Sequence, residues 1–270
     1  MSRDVLLISR RRKRRWALVK HAARFAVLII VLTLAIGFFY LPFLRISSIS
    51  LAGVDSLDKG FLLSNVKQMI EGKYFHIFPK NNILIFPRHE LDRVFSEILR
   101  VGSFSINRNF LTAGLNITLR ERKTWAIWCA FTENTESCFL MDKEGFLFDK
   151  SPDITGSAVL KIKDERNIDS PLGKKVLTDE DAARLNYFIE KISSKLSESV
   201  SMIEIKEGGI SNLYLKSGWY LILDSDVADV DKAIENMSIT LSTLKEKSGK
   251  LEYIDLRFKD KVFYKFVGAN

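Results

Sequence analysis

The sequence predicts an α+β protein: a single N-terminal transmembrane helix, a small β-α-α-β-β module, and then a mixed β-rich domain with two helices. Three observations carry this. Residues Phe25 to Leu44 form twenty consecutive uncharged positions behind a basic block. Over residues 45–122 the apolar period switches between three-to-four and two in a fixed order. Beyond residue 122 short alternating runs dominate, interrupted by two helical stripes. The expected organisation is a basic tail at 1–24, the span at 25–44, the module at 45–122, the β-rich domain at 123–266 and a short tail at 267–270.

The charge is unevenly placed. Of 41 Lys and Arg and 33 Asp and Glu, residues 1–24 hold nine basic side chains and one acid, Asp4, which leaves 32 of each sign elsewhere. A basic excess confined to one short segment argues against nucleic acid as a partner of the body of the protein. It fits instead a segment beside a bilayer. An α-helix needs about twenty apolar residues to cross the hydrocarbon core. The run exceeds the apolar core of about 7–15 residues in a cleaved leader, and Leu41-Pro42-Phe43-Leu44 is unlike a small-residue cleavage site. Lys and Arg concentrate before the run, so the N-terminus is expected to be cytoplasmic and the remainder extracytoplasmic, in a single-pass arrangement.

After the span, Ile46, Ile49, Leu51 and Val54 with Gly53 read as a strand and turn. Leu62, Val66, Met69 and Ile70 then recur at helical spacing, with Gly72 placed to end the helix. A second helix is expected after Pro87, burying Leu91, Val94, Phe95, Ile98 and Leu99. Two strands follow, VGSFSINRNF and GLNITLRER, the second alternating Leu115, Ile117 and Leu119 with polar residues. A helix pair on one face of a three-stranded sheet is a self-sufficient layer arrangement at this size.

The β-rich part reads as WAIWCAF, CFLMD, GFLFD and AVLKIK, with turn signals at Gly145, Pro152 and Gly156. Thr178 is placed to cap a helix whose first turn carries Asp179, Glu180 and Asp181 and whose stripe is Leu185, Phe188, Ile189, Ile192 and Leu196. Strands SMIEIKE, ISNLYLK and GWYLILD follow, the last two joined at Ser217-Gly218. Another helix starts after Asp226, with Val227, Val230, Ile234, Met237, Leu241 and Leu244 on its face. The last patterned stretch, YIDLRFKDKVFYKF, alternates at period two before and after Lys259-Asp260-Lys261, with Val262, Tyr264 and Phe266 continuing it. Cys129 and Cys138 flank a polar stretch between two strand-like runs, which admits a cross-strand disulfide or two buried thiols. No third and fourth ligand for a metal lies near them in sequence.

No catalytic, cofactor or metal motif is found. His21, His76 and His89 are scattered, and the phosphate-loop, dinucleotide, GxSxG and HExxH patterns are absent from the sequence. The sequence thus offers no candidate catalytic, cofactor-binding or metal-binding residues.

The colinear set of segments resembles the FtsQ/DivIB family of bacterial cell-division proteins. FLRISSISLAGVDSL is similar to that family's strand and turn after the anchor. LNITLRERKTWAIW, with Glu121, Arg122 and Ala126, is similar to its interdomain junction, CFLMDKEGFLFD to a hairpin with an Asp-x-x-Gly turn, and EYIDLRF to its Asp-Leu-Arg signature. Two departures are visible: Thr124 stands where the family often has Pro, and YFHIFPKNNILIFP is longer and more apolar than the usual link between the helices. The resemblance implies that 45–122 is a POTRA-type domain, and that the protein is a non-enzymatic divisome scaffold at the septum of the plasma membrane, without a cofactor or small-molecule substrate. Its implied partners are FtsB/DivIC-like and FtsL-like proteins, and its implied role is in regulating septal peptidoglycan synthesis. It further implies partner binding along the last strand, with Arg257, Phe258 and Tyr264 as contacts and Val262 and Phe266 on the same element.

Edge-strand physics points the same way, because an exposed strand pairs with an added one through its backbone. Arg257 would then offer its guanidinium fork to a partner carboxylate. The competing expectation is that Phe258 and Tyr264 pack on the Val227–Leu244 helix. Two other function classes compete: a POTRA-containing component of a secretion or assembly system, and a membrane-tethered external sensor or enzyme domain.

Overall fold

In the computed structural model, which describes residues 3–132, 135–152, 159–166, 168–224, 230–244, 250–259 and 261–268, the basic tail and the apolar run form one helix, α1, Arg3–Phe38. The expected turn at Gly156, the cap at Asp226 and the stripe position Val227 lie outside the described residues. Chain contacts divide the molecule into two units, Met1–Glu121 and Arg122–Asn270.

The segment of α1 long and apolar enough to cross a membrane is Leu18–Phe38, 21 residues, shifted toward the N-terminus from the expected 25–44. A signal sequence meets the same criterion of length and composition. The helix stops at Phe38 because Pro42 lacks an amide N–H and pushes the residue before it out of the helical region. Leu41 is accordingly extended, and Pro42–Leu44 form a single 3-10 turn. Residues 39–44 belong to the folded unit. The Phe39 carbonyl accepts a hydrogen bond from Asn82 Nδ2 at 2.8 Å, the Phe39 ring meets Phe78 edge-on at 5.3 Å, and Leu44 is buried.

The first unit continues with β1 Ser48–Ala52, α2 Lys59–Ile70, β2 Lys73–Tyr74, β3 Phe78–Pro79, α3 Arg88–Glu97, β4 Val101–Asn109 and β5 Gly114–Glu121. Its main sheet has the order β1-β5-β4, with β1 parallel and β4 antiparallel to β5. Asp58 caps α2 by accepting the Phe61 amide at 3.0 Å, which satisfies one of the unpaired donors of a helix start. Leu62 and Val66 of α2 and Leu91 and Phe95 of α3 share a core with Leu51, Leu115, Ile117 and Leu119 of the sheet. Each such side chain contributes about 2–3 kcal/mol through burial. Gly53 is irreplaceable on two counts: its φ is +72°, and a Cβ there would lie 2.0 Å from the Leu119 carbonyl oxygen.

Glu121, at the end of β5, ties down the chain that follows Gly53. Its carboxylate accepts the amides of Asp55, Ser56 and Leu57 at 2.8–3.1 Å and the Ser56 hydroxyl. Burial alone would raise the pKa of this acid, but the Ser56 hydroxyl and the three amides outweigh it, and the net shift is downward. A carboxylate with a depressed folded-state pKa adds stability above its unfolded-state pKa and loses it as pH falls through the folded one. Glu121→Gln is expected to destabilise this unit by about 1 kcal/mol at neutral pH, after allowance for solvent screening. The difference from the wild type should vanish progressively from about pH 4 downward. Denaturant titrations of both proteins at pH 7 and pH 3 check this; a gap that is the same at both pH values would contradict it.

The second unit comprises β6 Ala126–Thr132, β7 Thr135–Met141, β8 Leu147–Lys150, β9 Leu160–Asp164, α4 Asp179–Leu196, β10 Val200–Ile205, β11 Ile210–Leu215, β12 Tyr220–Asp224, α5 Val230–Leu244, β13 Leu251–Asp255 and β14 Phe263–Phe266. All eleven strands and helices serve one mixed sheet of nine strands, ordered β14-β13-β12-β11-β10-β9-β6-β7-β8. Within it β9-α4-β10-β11 and β12-α5-β13-β14 are two copies of one strand-helix-strand-strand pattern. In each, the strand after the helix pairs parallel to the strand before it and the next returns antiparallel. This repeat was not visible in the sequence, where the two copies share no run of residues.

Phe188 and Ile192 of α4 and Ile234 and Met237 of α5 are buried with Trp128, Ile162, Ile203, Leu213, Leu221 and Ile254 of the strands. Thr178 caps α4 by accepting the Asp181 amide at 3.1 Å. At the β7–β8 turn, Asp142 accepts the amides of Glu144 and Phe146, and Gly145 has a φ of +77° where a Cβ would meet the Leu177 Cβ at 2.8 Å. Cys129 and Cys138 are direct register partners on β6 and β7 and are joined by a disulfide, Cα–Cα 4.1 Å. Glu136 lies beside them, but two sulfurs bonded to each other offer no thiolate to a metal.

Candidate functional site: the β14 edge

The two ends of the nine-stranded sheet are β8 and β14. Strand β14 pairs with β13 on one side, with Ile254 opposite Tyr264 and Asp255 opposite Phe263. Among the described residues no strand pairs with its other side. An edge of this kind presents a row of backbone donors and acceptors, which proteins ordinarily cover or blunt with charge. Here one lysine, Lys265, stands on the strand, and the other side chains around the edge are largely aromatic. Phe258 is 49% exposed, Phe263 50%, Tyr264 39% and Val267 58%.

These rings are organised as two pairs. Phe258 meets Phe263 edge-on at 5.1 Å, and Tyr264 meets Phe266 edge-on at 5.7 Å. Residues two apart on a strand share a face, so Tyr264 and Phe266 stand on the face where Ile254 is fully buried. Phe263 and Lys265 stand on the other. That second face carries a tyrosine ladder leading to the edge: Tyr214, Tyr220 and Tyr253 are successive register partners with ring centroids 5.0 and 5.5 Å apart, and Lys265 of β14 is next in line. Lys265 pairs with Glu252 at 3.3 Å. Cross-strand aromatic pairs stiffen a sheet by roughly 0.2–1 kcal/mol each, so the ladder gives the edge a firm base. It was missed in the sequence because its members belong to three strands whose order was not predicted.

The five residues expected on the docking element are placed differently from one another. Phe258 and Tyr264 are half-exposed at the edge, and Phe266 is partly covered by Tyr264. Val262 packs against the core and so supports the strand from behind. In the chain by itself Arg257 turns its fork back onto the neighbouring Asp255. Its Nε and Nη2 donate to the two carboxylate oxygens of Asp255 at 2.9 and 2.6 Å, and its amide donates to the same carboxylate at 3.1 Å. The Asp255 hydrogen bond raises the pKa of Arg257 further above its ordinary value. The guanidinium also lies 5.7 Å from the Phe258 ring centre. Arg257 thus orients Phe258 and closes the end of β13; the fork expected to face a partner is engaged by this local pair.

A second concave feature lies between α4 and the sheet, lined by Leu185, Phe188, Ile205, Leu223, Arg166 and Arg184 among others. Its two arginines are committed to neighbouring acids, Arg166 to Asp164 at 2.6 Å and Arg184 to Glu180 at 3.1 Å. The cleft therefore has no arginine held ready for an anionic ligand, and the β14 edge is the better candidate.

No family model and no curated protein matches this chain. Fold and site together define a two-unit α+β protein with one N-terminal helix long and apolar enough to span a membrane and an aromatic sheet edge.

Proposed function

We propose that the protein is a membrane-anchored, non-enzymatic binding module of the bacterial division machinery, similar to FtsQ/DivIB proteins, whose β14 edge accepts a strand from a partner. The single observation that carries the reading is the pairing of an open strand edge with half-exposed aromatics on both of its faces. Backbone hydrogen bonds along such an edge give affinity, and pockets between alternate side chains give selection. Aromatic side chains are the residues that most often dominate binding energy when a partner covers them.

Two further features support the reading. Apart from the β2–β3 hairpin inserted between its helices, the first unit runs strand, helix, helix, strand, strand, an order compatible with a POTRA-type domain. The apolar helix ends in residues bonded into that unit, which suits a retained anchor better than a removable leader. In this reading α1 crosses the plasma membrane once, with its basic end in the cytoplasm and both units outside. The partner strand comes from an FtsB/DivIC-like protein, FtsL-like protein joins the same assembly, and the assembly regulates septal peptidoglycan synthesis.

Depletion of the protein from the bacterium that makes it is the test of the biological role. The expected result is filamentation with septa absent or arrested, restored by the wild-type chain. Normal septation after depletion would contradict the role in division.

A further inference from the structure

The exposed apolar side chains of the first unit are not scattered. Beyond Tyr40, and apart from Phe61 on α2, they are Phe43, Phe75, Ile77, Leu84, Phe110 and Leu111. Every one of these six lies in a segment bonded to the stretch that leaves α1. The 81–83 segment is held against it through Ile83 N to Leu44 O and Ile46 N to Asn81 O, both 2.8 Å. The β2–β3 hairpin is held by the Tyr40 hydroxyl, which donates to the Ile77 carbonyl, and by the Phe39–Phe78 ring contact. The β4–β5 turn is held by Ser47, whose amide donates to the Ala113 carbonyl at 2.9 Å and whose hydroxyl donates to the Thr112 carbonyl at 2.8 Å.

One of these tips, the β2–β3 turn, is built at a cost in backbone strain. The β2–β3 turn places Phe75 and His76 consecutively in the left-handed region, φ +48° and +60°, closed by Ile77 N to Tyr74 O at 2.9 Å. Turns of this shape favour Asn-Gly, and two non-glycine residues in that region strain the backbone by about 1–3 kcal/mol each. The turn nevertheless holds a phenylalanine 87% exposed, and the β4–β5 turn holds Leu111 99% exposed. Basic residues stand among these tips: Lys73 lies 5.3 Å from the Tyr40 ring centre, and Arg108 lies 4.9 Å from that of Phe86. The acids of the same segments are Glu71 and Glu90, the latter paired with Lys80 at 3.3 Å.

We infer that this end of the first unit is a membrane-interface foot, which inserts Phe75 and Leu111 at the headgroup level of the bilayer that α1 enters. The occupant follows from continuity: the apolar helix Leu18–Phe38 delivers the chain directly into residues 39–47, to which every tip is bonded. Aromatic and aliphatic tips among Lys and Arg are the chemistry of an interfacial contact, and basic residues near the surface add attraction to anionic lipid. The inference rests on the reading of Leu18–Phe38 as a bilayer span. It also gives a purpose to the exposed part of the segment YFHIFPKNNILIFP, Phe75 and Ile77, since Ile83 and Phe86 are buried in the unit itself.

The test uses the full chain in nanodiscs containing phosphatidylglycerol, with a nitroxide label at Phe75→Cys, Leu111→Cys, Phe61→Cys or Leu28→Cys in turn. Collision with oxygen, which concentrates in lipid, is compared with collision with a water-soluble nickel chelate. The expected result is an oxygen-to-nickel ratio severalfold higher at positions 75 and 111 than at 61, with position 28 higher still. A lipid-like ratio at 28 with water-like ratios at 75 and 111 would overturn the foot and leave the anchor standing. A water-like ratio at 28 would overturn both.

Discussion

Asp164→Ala is expected to lower the stability of the second unit by about 3 kcal/mol, which for a unit of this size corresponds to roughly 6–12 °C in Tm. The fully buried Asp164 carboxylate, at the end of β9, accepts four hydrogen bonds. One oxygen takes the Arg166 amide at 3.0 Å and Nε at 2.9 Å; the other takes Trp128 Nε1 at 2.9 Å and Arg166 Nη2 at 2.6 Å. Removing it strands a buried indole N–H and a half-covered guanidinium, and the guanidinium keeps only the Val176 carbonyl at 3.0 Å. Loss of one partner from a buried pair costs more than the pair is worth, because the survivor has already been desolvated.

The molecule contains its own control. Asp255 and Arg257 repeat the Asp-x-Arg geometry at the end of β13 almost atom for atom. There, however, no tryptophan donates to the carboxylate among the described residues, so its removal strands no buried indole N–H, although the two guanidiniums are similarly covered, 33% and 36% exposed. Asp255→Ala is therefore expected to cost only about 1 kcal/mol. Urea unfolding followed by tryptophan fluorescence separates the two, since Trp125, Trp128 and Trp219 all report on this unit. Equal losses from the two substitutions would contradict the account of Asp164 as a shared buried acceptor.

Much of this was legible in the sequence, for reasons that differ by element. The period-two run Leu115, Ile117, Leu119 fixed β5 and its buried face, and Thr178 with its three acids located the start of α4 to the residue. The α+β class followed from the order of such local signals. The boundary of the apolar helix was misplaced because the apolar run continues past Phe38 into the folded unit, where Phe39 packs on Phe78 and Leu44 is buried, and apolarity alone does not distinguish lipid from core.

What the sequence withheld was mainly non-local. The order of nine strands depends on parallel pairings of β6 with β9, β9 with β10 and β12 with β13, each joining segments separated by a hairpin or a helix. No local pattern encodes those pairings. The β2–β3 hairpin was hidden for a different reason, since its turn uses Phe-His where turn chemistry favours Asn-Gly. The Asp255–Arg257 pair was not legible because residue type does not reveal whether a guanidinium two positions from an aspartate turns back or points away. Of the last strand, the alternation of Val262, Tyr264 and Phe266 with Phe263 on the opposite face was legible locally, while the tyrosine ladder behind it emerged only with the sheet order.

The largest functional effect is expected at the β14 edge. Tyr264→Ala and Phe263→Ala should each weaken partner binding by about 2 kcal/mol, or roughly 30-fold in Kd, the range for a covered aromatic anchor. Arg257→Ala should weaken it less, because that side chain acts through the position of Phe258. Replacing Phe263 and Tyr264 together by lysine keeps the strand length but blunts the edge with charge. The most direct measurement is the affinity of the full chain for the external segment of the proposed FtsB/DivIC-like partner, compared with that double-lysine variant and with a chain truncated after Asp260, circular dichroism monitoring the fold. The account predicts that truncation abolishes detectable binding and that the double-lysine variant, with an unchanged spectrum, binds at least a hundredfold more weakly. Affinity unchanged in both variants would contradict the docking edge.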